Sequence, residues 1–141
     1  MRNLKFLFAT LLALLVTAIL LQAQLFEDFE SEQKSGYAGA SVELESGEWF
    51  LEDALIRPDG GDSDLKNGSL SVRIRDGFLR MNFDKSDGAD KLSFYSGNSG
   101  FNGDGGGILQ IYYSTDSGSN WNELGDPITH SLMSLNNILL K

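Results

Sequence analysis

The sequence predicts an all-β protein, an antiparallel β-sandwich of jelly-roll type. Three observations lead to this fold class. From residue 24 onward, short runs place apolar side chains at every second position. These runs are separated by Gly, Asp, Asn and Ser, and no amphipathic helical pattern occurs before the last dozen residues. Short alternating runs between turn residues are typical of sandwiches and barrels.

The first 23 residues have the layout of a secretory signal peptide. Arg2 and Lys5 precede an uncharged apolar run over residues 6–21, and Ala23 supplies the small residue before a cut at Gln24. The alternative is an uncleaved membrane anchor. The run has 16 residues, which is shorter than the roughly 20 that a spanning helix needs. We therefore expect an exported protein, secreted or at the cell surface, with no membrane contact after cleavage.

Composition limits the partners of the mature chain. Without the leader, 118 residues remain, enough for one domain, which we place at residues 24–129. Nine basic and 20 acidic residues remain, a net charge of −11. Such a surface repels nucleic-acid phosphates and anionic membranes. The chain has no Cys, so disulfides and thiolate metal sites are excluded.

The sharpest strand signal lies at residues 69–83. Leu70, Val72 and Ile74 alternate with polar residues, and alternation resumes at Leu79 after Asp76-Gly77. Because Asp-Gly suits a type I′ turn, the pattern predicts a two-residue hairpin at these positions. In that register Val72 faces Met81, and the apolar residues of both arms share one face.

The other elements follow in chain order. We expect an edge strand at residues 25–30, a tight turn at Ser46-Gly47 between strands 41–45 and 48–55, and a strand at 91–95. A glycine-rich loop at 96–107 then leads to a strand at 108–114, and residues 120–124 return from it.

Residues 114–121 fit the pattern S-x-D-x-G-x-x-W and resemble the Asp-box hairpin of sialidases and other secreted β-proteins. Turn chemistry explains the pattern. Asp116 can accept backbone N–H bonds within its own turn, and Gly118 supplies a backbone geometry that a Cβ would resist. Trp121 then lies over the turn, and contact with a sugar is the alternative role for its ring.

Three aromatic residues are candidates for ligand contact: Trp49, Tyr112 and Trp121. Core packing is the alternative for each of them. Neighbours such as Tyr112 and Tyr113 point to opposite faces of a strand. One member of such a pair is therefore expected to be exposed, which keeps a binding surface open.

Three carboxylates, Asp59, Asp62 and Asp64, lie within six residues that also contain two glycines. Hard oxygen ligands at this spacing suit structural Ca²⁺, the only metal or cofactor that the sequence suggests. The twelfth position of an EF-hand loop is occupied by Leu70 instead of Glu. A solvated acidic loop is the alternative.

Catalysis is not expected. The only histidine is His130, and no sequence pattern orients it as a base toward a nucleophile. Paired carboxylates can hydrolyse glycosides, but 20 acidic residues single out no pair.

Several segments together resemble an accessory β-sandwich of exported bacterial multidomain proteins, often found beside secreted endonuclease I or lamin-tail modules. The likeness covers about residues 25–129 and is similar in build to jelly-roll adhesion and carbohydrate-binding-like domains. Its most specific parts are the turns at 47–55 and 66–75 and the Asp-box hairpin. The resemblance implies a non-catalytic accessory or ligand-binding role, with a glycan or cell-surface polymer as the partner. A carbohydrate-binding domain proper is the first alternative, and a truncated fragment without independent function is the second.

The chain departs from that family in its atypical tail, residues 130–141. Leu132, Leu135 and Leu139 lie at helical spacing. We therefore expect a sandwich that lacks its last strand or strands, with the tail either poorly ordered or docked as a short helix over the gap.

Overall fold

A computed structural model describes residues 24–58, 64–98 and 107–130, and the backbone of residues 136–140. Within these ranges the regular elements are all strands and every pairing is antiparallel. The all-β prediction is therefore confirmed. The strands are β1 Ala40–Leu44, β2 Gly47–Arg57, β3 Ser71–Met81, β4 Leu92–Ser96, β5 Ile108–Leu109, β6 Tyr112–Tyr113, β7 Asn122–Glu123, β8 Ile128–Thr129 and β9 Asn136–Leu140.

The strands form one three-stranded sheet and three two-stranded ribbons. The sheet has the order β1-β2-β3, and the ribbons are β4–β9, β5–β8 and β6–β7. In the described part of the chain no helix is long and apolar enough to cross a membrane.

A tight turn joins β1 to β2, as predicted, one residue earlier than expected. Leu44 pairs with Gly47, so the two loop residues are Glu45 and Ser46. Gly47 has a φ of +130°, and a Cβ there would come within 2.8 Å of the Phe83 ring. A side chain at position 47 is therefore excluded by both backbone conformation and packing.

The predicted hairpin at Asp76-Gly77 is wrong. β3 continues through these residues and pairs with β2, with Ala54 opposite Ile74 and Glu52 opposite Phe78. One residue of β2, Asp53, thus faces three residues of β3, which makes a β-bulge. Val72 pairs with Ile56 and Met81 with Trp49 instead of with each other.

The face assignment made from the same pattern is correct. Leu70 is buried in the core, and Val72, Ile74 and Leu79 pack against it. At the bulge the alternation of side chains shifts in both strands. The apolar side chains before and after the bulge therefore lie on the same side of the sheet. The buried members of the core cluster are Leu44, Leu51, Ala54, Ile56 and Leu70.

Residues 25–30 are not the predicted edge strand. Side chains hold this segment in place instead of a backbone ladder. The Glu27 carboxylate accepts hydrogen bonds from the Ser46 N–H (3.1 Å) and hydroxyl (2.7 Å). The Glu30 carboxylate accepts the N–H groups of Ser69 (3.0 Å) and Leu70 (2.9 Å).

Residues 136–140 of the tail do not form the docked helix that was one of the two expectations for it. Residues 136–140 form β9, which pairs along its whole length with β4, from Leu92 opposite Leu140 to Ser96 opposite Asn136. Leu139 lies in this strand, whereas Leu132 and Leu135 lie outside the described residues. Five residues paired in register satisfy backbone groups that a helix of about one turn would leave exposed.

The remaining strand predictions are confirmed in outline. The strand expected at 91–95 is β4, and the return strand expected at 120–124 contains β7. The strand expected at 108–114 is split into β5 and β6, which pair with different partners. Most of the predicted glycine-rich loop, residues 99–106, lies outside the described residues.

Candidate ligand-binding surface

The turn between β6 and β7 is closed by the side chains of its own motif. The Asp116 carboxylate accepts the Asn120 N–H at 2.8 Å and the Asn120 side-chain amide at 2.7 Å. The Ser114 hydroxyl donates to Asp116 at 2.8 Å and accepts the Gly118 N–H at 2.9 Å. The predicted turn chemistry of this motif is therefore present, residue for residue.

These bonds favour the ionised carboxylate. The side-chain amide of Asn120, then its backbone N–H and the Ser114 hydroxyl, lower the pKa of Asp116 to about 2. The ionised Asp116 carboxylate is therefore used in hydrogen bonds within the turn.

Gly118 and Trp121 fit together as predicted. Gly118 has a φ of +81°, and a Cβ there would lie 3.4 Å from Cζ2 of Trp121. The indole therefore lies against the turn on one side. The side chain nevertheless keeps 46% of its surface exposed.

The β6–β7 ribbon gathers two of the three predicted aromatic residues on one face. Tyr112 pairs directly with Glu123, so their side chains share a face. Trp121 lies one residue before β7, and continuing the alternation of the strand by that residue assigns it to the same face. Tyr112 is 51% exposed. We call Tyr112, Trp121 and Glu123 the ribbon face.

The opposite face of the ribbon also meets solvent. Tyr113 pairs with Asn122 and is 44% exposed. The expectation that one of the two tyrosines is exposed is therefore exceeded, since both are.

One hydrogen bond ties the ribbon's turn to the segment that follows β3. The Ser117 hydroxyl donates to the Asp84 carboxylate at 2.6 Å. Ser117 itself has a φ of 53°, a left-handed conformation that few non-glycine residues adopt. The turn is held at its tip as well as at its base.

Trp49, the third aromatic candidate, has a different environment. Its ring makes edge contacts with Phe29 (5.4 Å between centroids) and Phe83 (6.2 Å). Its indole N–H donates to the Ser46 hydroxyl at 2.9 Å. Trp49 packs against the sheet's core, and among the described strands β2 contacts β1 and β3 rather than the β6–β7 ribbon.

The structure engages Asp64, one of the predicted Ca²⁺ ligands, in an ion pair. Its Oδ1 accepts from Nε of Arg73 at 2.8 Å and pairs with Nη2 of the same residue. The Asp64 side chain is only 6% exposed. Asp59 and Asp62 lie outside the described residues. Among the residues that the structure describes, no group of three His, Cys, Asp or Glu side chains could hold a metal ion.

His130 has a partner that the sequence did not indicate. Its Nε2 lies 2.8 Å from the Ser96 hydroxyl, and its backbone N–H donates to the Gly107 carbonyl at 3.1 Å. The residue is 8% exposed. This arrangement ties the end of β4 to the end of β8.

Comparison with known proteins adds no relative. No protein-family model, curated protein or solved structure matches the chain. The resemblance to an accessory β-sandwich therefore remains a prediction from the sequence.

Sequence reasoning missed Glu123 on the ribbon face and Ser96 beside His130. Glu123 could in principle have been predicted, because an Asp-box turn fixes which residues of its two flanking strands pair. Ser96 could not, because its approach to His130 depends on two ribbons whose partners the sequence pattern does not identify.

Proposed function

We propose that the chain is a non-catalytic accessory module of an exported protein and that it binds a ligand outside the cell. The observation on which this rests is the ribbon face, where two aromatic rings stay about half exposed beside a turn that is closed by hydrogen bonds of its own motif. Aromatic side chains held rigid in solvent are suited to ligand contact, since little conformational entropy is lost on binding.

The wider architecture is part of the same proposal. An antiparallel sheet with further antiparallel ribbons supports a fold of the β-sandwich, jelly-roll type. The leader at residues 1–23 supports export, and the acidic composition supports a partner that is neither nucleic acid nor an anionic membrane.

The Ser96–His130 pair supports a structural role better than catalysis. A nucleophilic serine needs a base that a third group orients and donors for a developing oxyanion. The bonds of His130 instead join two ribbons, and its burial suits a cross-link between them.

The test is to incubate the purified exported chain with a panel of cell-wall and extracellular polysaccharides and measure both retention and released products. We expect retention on at least one polymer without soluble products or ester hydrolysis. Turnover that disappears in Ser96→Ala or His130→Ala, while the circular dichroism spectrum is unchanged, would replace the proposal with an enzyme.

A further inference from the structure

The ribbon face is too small for a typical protein partner. A whole aromatic side chain presents about 150–250 Å². Because Tyr112 is 51% and Trp121 46% exposed, the two together offer only about 150–250 Å². Each partner of a standard protein–protein interface buries about 800 Å². The strands of the ribbon, with two residues each, add little to that area. A narrow ligand that covers two rings fits this surface better than a folded protein.

The chemistry of the face matches a sugar. Trp121 lies one residue before β7. Continuing the strand geometry by that residue makes Tyr112 and Trp121 diagonal positions, which in an antiparallel pair are about 7–8 Å apart. Two flat apolar surfaces at that spacing can stack against the C–H faces of linked pyranose rings. The Glu123 carboxylate, directly opposite Tyr112, can accept hydrogen bonds from hydroxyl groups at the ring edge.

The charge around the face selects among sugars. The whole chain carries a net charge of −9, the face itself holds a carboxylate, and Asp116 and Asp84 lie in and beside its turn. Polymers rich in uronic or sialic acid would be repelled by these groups. A neutral glycan has no such penalty.

We propose that Tyr112, Trp121 and Glu123 form a binding subsite for a neutral glycan chain. This inference rests on the proposed function and adds to it the class of ligand and the residues that bind.

The test is native electrophoresis of the exported chain through gels that contain galactomannan, arabinoxylan or hydroxyethylcellulose, with polygalacturonate as the anionic comparison. We expect at least one neutral polymer to retard the protein and polygalacturonate to have no effect. Tyr112→Ala and Trp121→Ala should each weaken binding by about tenfold or more, the equivalent of losing one aromatic contact. Tyr113→Ala is the matched control, because it removes an equally exposed ring from the opposite face, and it should retain wild-type retardation.

Tyr112→Ala is the decisive variant, since Trp121 also packs on its turn and its loss can disturb the fold. Equal losses in the Tyr112 and Tyr113 variants, or retardation by polygalacturonate alone, would overturn the subsite. Retention of the chain on a protein or another polymer, with no neutral glycan bound, would overturn the glycan inference and leave the proposed function standing. Retention on nothing in either experiment would overturn both.

Discussion

Acidic side chains in this protein repeatedly replace backbone partners. Glu27, Glu30, Asp53 and Asp116 each accept at least one main-chain N–H bond. All four bonds lie at turns, at a bulge or in the irregular N-terminal segment, where regular pairing is interrupted. Some of the acidic residues therefore have a structural role, since charged acceptors make stronger hydrogen bonds than neutral ones.

The Asp116 turn gives a pH prediction. The pKa of Asp116 is lowered to about 2 in the folded protein, against about 3.9 in an unfolded chain. The stabilisation is therefore fully present above pH 3.9 and is lost as pH falls through 2. We expect a ¹³C NMR titration of the Asp116 carboxyl to have its midpoint near pH 2.

Asp116→Asn provides the control for that titration. It keeps an acceptor for the Asn120 N–H but removes the titrating charge, so the Asn120 amide signal should lose the step near pH 2 that it shows in the wild-type chain. A midpoint near 4 in the wild-type chain would mean that the turn bonds do not form in solution.

Glu30 gives a stability prediction. Its carboxylate bonds the backbone just before β3, at Ser69 and Leu70. Removing this acceptor leaves the part-buried Leu70 N–H without its partner, whereas water can replace it at the exposed Ser69 N–H. Glu30→Ala should therefore lower the free energy of unfolding by about 0.5–1.5 kcal/mol. Urea denaturation measures this. The exposed Glu32 is the control, and Glu32→Ala should change stability by less than about 0.5 kcal/mol. Equal effects would show that Glu30 does not anchor the segment.

At the scale of elements, the bulge between β2 and β3 is the feature that organises the sheet. Asp53 adopts a φ of 44°, and its carboxylate pairs with the Arg75 guanidinium and accepts the Asp76 N–H at 3.2 Å. The Arg75 guanidinium, followed by that N–H, holds the pKa of Asp53 below its usual range. The left-handed residue shifts the alternation of side chains in the strands, so Val72 and Ile74 before the bulge and Leu79 after it all pack against the core.

Gly77 should be the least replaceable residue of this bulge. A Cβ at position 77 would overlap the Glu52 carbonyl and approach the Asp53 Cβ to 2.8 Å. Because these are backbone atoms and a rigid Cβ, they cannot rotate away. We expect Gly77→Ala to destabilise the protein by about 1–3 kcal/mol or more, measured by thermal or urea unfolding.

The matched control is Gly36→Ala. A Cβ at Gly36 would have no atom within 4 Å, and the residue has no positive φ, so this change should be within about 0.5 kcal/mol of neutral. If Gly77→Ala were equally neutral, β3 would not run beside Asp53, and the predicted hairpin would regain support.

The difference between the predicted hairpin and the observed bulge at Asp76-Gly77 shows which part of the fold could be predicted from the sequence. The shift in alternation between Ile74 and Leu79 is real, and it correctly assigns the apolar face. A two-residue hairpin and a bulge produce the same shift in the sequence, however. In both, the apolar residues before and after it lie on the same face. Only the partner strand distinguishes them, and the information about that partner lies some 20 residues away in Asp53.

The candidate site shows the same division. The Asp-box turn was predictable because its bonds are local, between residues 114 and 121. The strand in the tail could not be predicted, because the helical spacing of three leucines contains no information about the free edge of β4, with which β9 pairs. Long-range pairing thus overrode a local pattern.

At the scale of the whole molecule, the described core is confined to one sheet. Its buried cluster comes from β1, β2 and Leu70 before β3, with partly buried neighbours that include Phe29. The ribbon β6–β7 contributes exposed residues only. Regions with few buried apolar contacts open at lower free energy than core strands.

Native-state hydrogen exchange should therefore divide the chain in two. The amides of β2, paired on both sides, should exchange slowest, and those of Tyr113 and Asn122 should exchange fastest among the paired residues. Uniform protection across β2 and β7 would show a single cooperative core that also encloses the ribbon.

The central claim is that the ribbon face binds ligand while the sheet supports the fold, and the two tryptophans report on each part. The Trp121 indole belongs to the ribbon face, whereas the Trp49 indole N–H is bonded to Ser46 in the sheet. In ¹H–¹⁵N NMR spectra of residues 24–141 titrated with neutral oligosaccharides, we predict that the Trp121 indole signal shifts with the backbone signals of Tyr112 and Glu123, while the Trp49 indole stays fixed. A shift of the Trp49 signal with Trp121 unmoved would contradict the account.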